Sequence, residues 1–427
     1  MTYDSRGCLL WRLGLFGILA IALVACADAP SACGDGICSE EESIQSCTAD
    51  CVFDLVVIVE AALYEPLEPH LDTYLNGLVA EGLKAYVLTF DPAPVGELRA
   101  LLVEQFERYN IGGAFLVGDL PAAWYEQQAF DVWEEFPMDV YLEDLDADFS
   151  DNDDNGVFDA HTRLGLEIYT SRIMGEVADL QEYFDRVDRF RKEGHLLEPS
   201  AFVFIDDGWS GSPSLYGLDD IYTTVQLTYD PSESTLDRYV QQLTGDGAEF
   251  VFQMIHSNVT YLTFRGEGAG ILHAKQIRAH NFQTSFVHMW DCWAARFIRD
   301  SNLGMIYTVE NDQGLAVIGS TKKGAVRSIA TLHERLALNE PLGEAFRYWY
   351  NAYGRTDDEW ALGIVVLGDP TLIVWGDVTG LLERQLSSIS VVESLEWMER
   401  TLRDHPTPQD LDTFEDYRLA HPEFFGS

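Results

Sequence analysis

Ser285-Phe286-Val287-His288-Met289-Trp290-Asp291-Cys292 is an apolar run that ends on an acid and a thiol. An earlier run, Phe250-Val251-Phe252-Gln253-Met254-Ile255-His256, ends on a histidine. Each has the length and make-up of a buried strand. A lone thiol closing one strand and a histidine closing the run before it are the parts of a nucleophile and its acid–base partner. Singly, each has a blander use: a buried cysteine is usually a small hydrophobe, and a buried histidine a satisfied core group. Together they point to a cysteine peptidase with Cys292 as nucleophile and His256 as proton carrier.

The other six cysteines fall near the N-terminus. Arg6 and Arg12 precede an uncharged stretch from Leu13 to Ala25, which is the build of a secretory segment. It closes on Leu23-Val24-Ala25-Cys26, which resembles a bacterial lipobox. That implies a signal peptide over 1–25, removing Cys8, and a lipid on Cys26. Ala27, not Asp, then directs the protein to the outer membrane, so the body lies in the periplasm or at the cell surface. Cys33, Cys38, Cys47 and Cys51 follow at once and in an oxidising compartment form two disulfides, with three pairings open. Their spacing lacks the paired two-residue gaps of a zinc ribbon. Residues 26–52 are therefore expected to form a stapled spacer.

The formal net charge of −44 argues against nucleic acid as a partner. After the spacer, short apolar runs alternate with longer amphipathic stretches, the pattern of an α/β protein with a largely parallel, doubly wound sheet. The expected divisions are a smaller α/β subdomain over 53–197, a catalytic subdomain over 200–378, and an acidic helical tail over 381–427.

One acidic loop carries its own signal. Asp151, Asp153, Asn155, the Val157 carbonyl and Asp159 stand at first, third, fifth, seventh and ninth positions, with Gly156 sixth. Alternate oxygens around a sharp glycine turn converge on a hard cation, so a structural Ca2+ is expected there. Thr162 stands where the bidentate glutamate belongs, leaving Asp144, Asp146 or Asp148 to complete the shell. No organic cofactor is expected. His273, His280 and His288 complete no recognisable zinc set.

Taken in order, four strings resemble the gingipain family of caspase-like cysteine peptidases. They are Glu167-Ile168-Tyr169-Thr170-Ser171-Arg172-Ile173, the His256 and Asp291-Cys292 ends, Gly314-Leu315-Ala316-Val317-Ile318-Gly319-Ser320-Thr321, and Leu367-Gly368-Asp369-Pro370-Thr371-Leu372. The resemblance spans roughly residues 53 to 378. It implies a caspase-like fold with the pair on neighbouring parallel strands. It also implies an oxyanion hole from the amides of Cys292 and Ser257, calcium, and cleavage of protein or peptide substrates after Arg or Lys. Glu167 would orient the imidazole. Relatives carry Gly where this chain has Ser257, which raises the alternative of a peptidase-like binding or adhesion module without catalysis.

Overall fold

The computed structural model describes residues 51–211 and 213–375, together with Cys33 and Cys47. The chain divides into two units, Met1–Val52 and Phe53–Ser427. In the first, Cys33 is bonded to Cys47, which chooses among the pairings left open, and Cys51 is also in a disulfide. The signal segment, Cys26, Cys38 and the tail from 381 lie outside the described residues.

The second unit is organised by a mixed sheet of ten strands. Its first strands are β1 (Leu55–Glu60), β2 (Ala85–Phe90) and β3 (Gly113–Val117). A hairpin follows, β4 (Ala123–Ala129) and β5 (Val132–Met138), then the short pair β6 (Phe149–Ser150) and β7 (Ala160–His161), then β8 (Tyr169–Ile173). Next come β9 (Ala201–Ile205), β10 (Val225–Thr228) and β11 (Phe250–Met254). A small antiparallel sheet holds β12 (His256–Asn258), β13 (Tyr261–Phe264) and β14 (Gly270–His273). The last are β15 (Phe286–Met289), β16 (Ala316–Ser320) and β17 (Ile364–Gly368).

The order across the large sheet is β10-β9-β11-β15-β16-β17-β8-β3-β1-β2. β3, β9, β11, β15, β16 and β17 are buried along their whole length, because helices cover both faces, and this is why they read as unbroken apolar runs. Strands β10 through β16 in that order are mutually parallel, and so are β17 through β2, but β16 and β17 are antiparallel. The halves therefore run in opposite directions. The carboxyl ends of β9, β11, β15 and β16 share an edge with the amino ends of β17 and β8.

Two of the motif strings are structural. Arg172 of β8 is buried, forks onto Asp139 at 2.8 and 2.9 Å, and donates to the carbonyls of Leu120 and Pro121 at 2.9 and 3.0 Å. Asp369, just after β17, accepts from Tyr74 at 2.8 Å, Arg191 at 2.7 Å and the Thr371 hydroxyl at 2.7 Å. Buried charges of this kind are tolerated because each is paired and fully hydrogen-bonded.

Candidate active site

His256 and Cys292 emerge from the carboxyl ends of β11 and β15, which are neighbouring parallel strands. Ligands of open α/β sheets sit at this edge. β11 stops at Met254, and after Ile255 the histidine opens β12. Cys292 lies three residues beyond β15, in a loop tied to the next strand: the Trp293 amide donates to the Lys322 carbonyl and the Ala295 amide to the Ser320 carbonyl, both at 3.0 Å.

The imidazole is walled in. Its ring centre lies 4.1 Å from that of Trp209, and a Cβ on Gly208 would stand 2.9 Å from Nε2. Only glycine allows the backbone after β9 to approach this closely. Cys292 is 4 % exposed and His256 2 %. Burial pushes the thiol up to about 12, against the pull of the Gly324 amide, which donates to the sulfur, and of the Lys323 ammonium. Asp291 is likewise raised, to about 8, by burial, although it accepts from Gln253 and, at 2.9 Å, from the Ile255 amide.

Ser257 lies in β12 and its φ is not in the left-handed region, so the residue does not require glycine. Its hydroxyl donates to the Cys292 carbonyl at 2.5 Å.

Glu167 is not brought to the imidazole. It stands at the amino end of β8, four strands across the sheet from β11, which is roughly 19 Å at ordinary strand spacing. Its carboxylate accepts from the Leu145 amide at 2.7 Å and groups with Asp144 and Asp146. Asp206, one residue past β9, donates its amide to the Met254 carbonyl at 2.9 Å and lies two residues before Gly208, which abuts the imidazole. It is fully buried and raised to about 6 by burial; one oxygen accepts from the Arg265 amide at 3.0 Å, and the other makes no hydrogen bond. A strand ending in Ile205-Asp206-Asp207-Gly208 was its only signal in the sequence.

Sequence reasoning also missed Glu134, Lys322 and Lys323. β4 and β5 turn through Phe130 and Asp131, both at positive φ, where the sequence reads simply as an acidic loop. The hairpin delivers Glu134, buried, to the Trp293 indole, the Lys323 amide and Arg296. Lys322 and Lys323 are two of the five lysines in the chain and both are fully buried. Burial lowers Lys322 to about 8, and its ammonium donates to the carbonyls of Lys323 and Glu359.

A cavity of about 220 Å³ opens beside this segment, lined by Arg327, Trp349, Tyr353, Asp357, Trp360 and Ala361 among others. Gly324, whose amide reaches the thiol, packs on the carbonyl of Trp360, a residue of the cavity wall. Arg327 and Asp357 pair at 2.7 Å on its wall.

The acidic loop is only partly as expected. Asp153 and Asp159 do converge, but with Glu126 of β4, their oxygens all within 4.8 Å. Asp151 instead takes the amides of Asn155 and Gly156, at 3.1 and 2.7 Å, and Asn155 donates to Glu126 at 3.0 Å. Val157 is buried, and Asp144 and Asp146 join Glu167 in the second cluster rather than completing the first. Both are all-oxygen sets with a buried member, a donor chemistry that fits a hard cation such as Ca2+. His288 is a core residue, Nδ1 3.0 Å from His333 Nε2.

A thiol and an imidazole at adjacent strand ends of such a sheet define a caspase-like cysteine hydrolase. The sequence profile of Peptidase family C25 matches residues 54–375, and the chain belongs to that family of cysteine-type endopeptidases, the gingipain family. No curated protein matches the chain.

Proposed function

We propose that the chain is a lipid-anchored cysteine endopeptidase of the cell envelope, working through Cys292 and His256. The observation that carries the reading is that these two residues follow neighbouring parallel strand ends, with their segments tied by the hydrogen bond from the Ser257 hydroxyl to the Cys292 carbonyl. His256 takes the thiol proton as the sulfur attacks the scissile carbonyl carbon, on the way to a thioester. The amides of Cys292 and Ser257 receive the oxyanion. His256 gives its proton to the departing amine as the C–N bond breaks, then takes one from the water that hydrolyses the thioester.

The cavity beside Gly324 is the place for the side chain preceding the scissile bond. Cleavage after Arg or Lys is supported by Asp357, which would exchange Arg327 for the substrate's cation. Ca2+ on the two carboxylate clusters is a structural ion in this reading, and residues 26–52 with the Cys26 lipid hold the enzyme at the outer membrane.

The other reading is a peptidase-like binding or adhesion module, and the observation on its side is the thiol, buried and held in its neutral form. Peptidyl electrophiles bearing Arg, Lys, Asp or Leu separate the two. They are added to the detergent-solubilised full chain in calcium, and Cys292 is mapped by mass. Labelling by the Arg or Lys probe, lost in His256→Ala, is the expected result. No labelling by any probe moves the assignment to the binding module.

A further inference from the structure

We propose that Asp291 and Ser257 form a clamp that holds His256 in register with Cys292, making both of them positioning residues; the proposal rests on the peptidase reading above. β11 and β15 stop being neighbours just before the chemistry begins. Their last paired residues are Gln253 and Met289, and the Trp290 amide makes one more bond, to the Gln253 carbonyl at 2.9 Å. Beyond that the histidine strand turns into its own small sheet with β13 and β14, while the cysteine loop turns toward β16. The main-chain ladder of the large sheet therefore ends short of both reacting groups.

Side chains take over where the ladder ends. The residue before His256 is bonded to the residue before Cys292, through the Ile255 amide and Asp291 Oδ1 at 2.9 Å. The residue after His256 is bonded to Cys292 itself, through the Ser257 hydroxyl and the Cys292 carbonyl at 2.5 Å. The imidazole is thus held on both flanks, and both clamp side chains are buried. Asp291 is anchored in turn: its second oxygen accepts from Gln253, whose own oxygen accepts from Tyr239 at 2.5 Å, and Tyr239 meets the Tyr307 hydroxyl at 2.8 Å. Those tyrosines come from the helices Leu236–Thr244 and Leu303–Thr308, so the register of the pair is fixed by the packed body of the protein. The serine that replaces a glycine is then a bridge and not a defect.

The test uses the full chain with Ser257→Ala, Asp291→Ala, Asp291→Asn and the double alanine variant. A misplacement of about 1 Å costs on the order of 100-fold in turnover, so each alanine variant is expected to lower kcat by roughly that factor with KM within about threefold. The double variant should lose less than the product of the two. Asp291→Asn should recover most of the loss, because its amide oxygen still accepts from Ile255. Its NH2 can donate to Gln253 once that amide turns over and donates to Tyr239. Alanine variants that keep kcat would overturn the clamp. So would parallel losses in kcat, KM and melting temperature with no recovery in the asparagine variant. The His256 imidazole resonance is followed by NMR in every variant as a readout independent of turnover. Should wild-type Cys292 react with no electrophile, the peptidase reading fails, and the resonance alone decides the clamp. A shift in the alanine variants that Asn reverses sustains it, and an unmoved resonance overturns it.

Discussion

Two regions share one edge of the sheet and differ in how their ionisable groups are surrounded. At the carboxyl ends of β9, β11, β15 and β16 four buried groups are driven toward their neutral forms by burial: Cys292, Asp291 and Asp206 upward, Lys322 downward. Around the amino end of β8 and the neighbouring loop, carboxylates crowd within 4.8 Å of each other, and Asp146 and Asp153 are open to solvent. Desolvation leaves the first region with groups whose proton affinities are displaced, the condition for proton transfer during a reaction. In the second, burial and then the neighbouring carboxylates raise Glu126, Asp144 and Glu167, a strain that a bound cation would relieve. The first is therefore suited to chemistry, and the second has the oxygen donors that could hold a hard cation.

The largest effects should come from the buried region. Cys292→Ala should abolish turnover, and His256→Ala should reduce it by at least about 1,000-fold, both with unchanged melting temperatures. Peptide hydrolysis by either variant at the wild-type rate would end the assignment of the site. Chelation should act only on the other region. Withdrawing calcium held at about a hundredfold over its Kd removes roughly 2.7 kcal/mol per site, or about 4 °C in Tm per site for a domain of this size. Glu126→Gln should reproduce much of that drop, and magnesium should not restore it. A Tm indifferent to chelator would mean that the carboxylates are only a solvated acidic surface.

Between these in size stands Arg172, which looks like an active-site motif residue but binds Asp139 and two carbonyls in the interior. Leaving Asp139 buried without its partner should cost about 3–5 kcal/mol in Arg172→Met, read by chemical denaturation. A loss of activity with no loss of stability would put Arg172 in the site instead.

How legible these regions were depends on how local their construction is. Cys292 and His256 were readable because each closes an apolar run, and a parallel strand must end where its run ends. Glu167 misled because the chain reverses direction between β16 and β17. Its role came from the motif resemblance, which carries no record of strand direction, so a residue at the amino end of β8 reaches the right edge of the sheet in the wrong column. Glu126 and Glu134 were hidden for another reason: their hairpin turns on Phe130-Asp131, without the Asn-Gly signal that marks such a turn. The loop around Asp151 was half readable. Its glycine turn formed as the spacing implied, with Gly156 at φ 95°, but tertiary packing supplied Glu126 as the partner of Asp153 and Asp159.

The smallest expected effect is a titration within the buried half. His333 donates from Nδ1 to the Tyr216 carbonyl at 2.7 Å, so its Nε2 must accept from His288, 3.0 Å away, and both rings are neutral. Burial lowers His333 to about 4 and holds His288 well below its ordinary value. An unfolded histidine titrates near 6.5, so below that pH the unfolded chain binds more protons than the folded one. This contribution to stability is present above about 6.5 and is lost as the pH falls toward 4. The raised carboxyl of Asp291 has the opposite sign. It binds a proton more tightly folded than unfolded, so its contribution shrinks as the pH rises from about 4 to about 8. Melting temperatures measured from pH 4 to 8 should therefore pass through a maximum, and His333→Gln should flatten the acid limb alone. An acid limb equally steep in that variant would assign it to other groups.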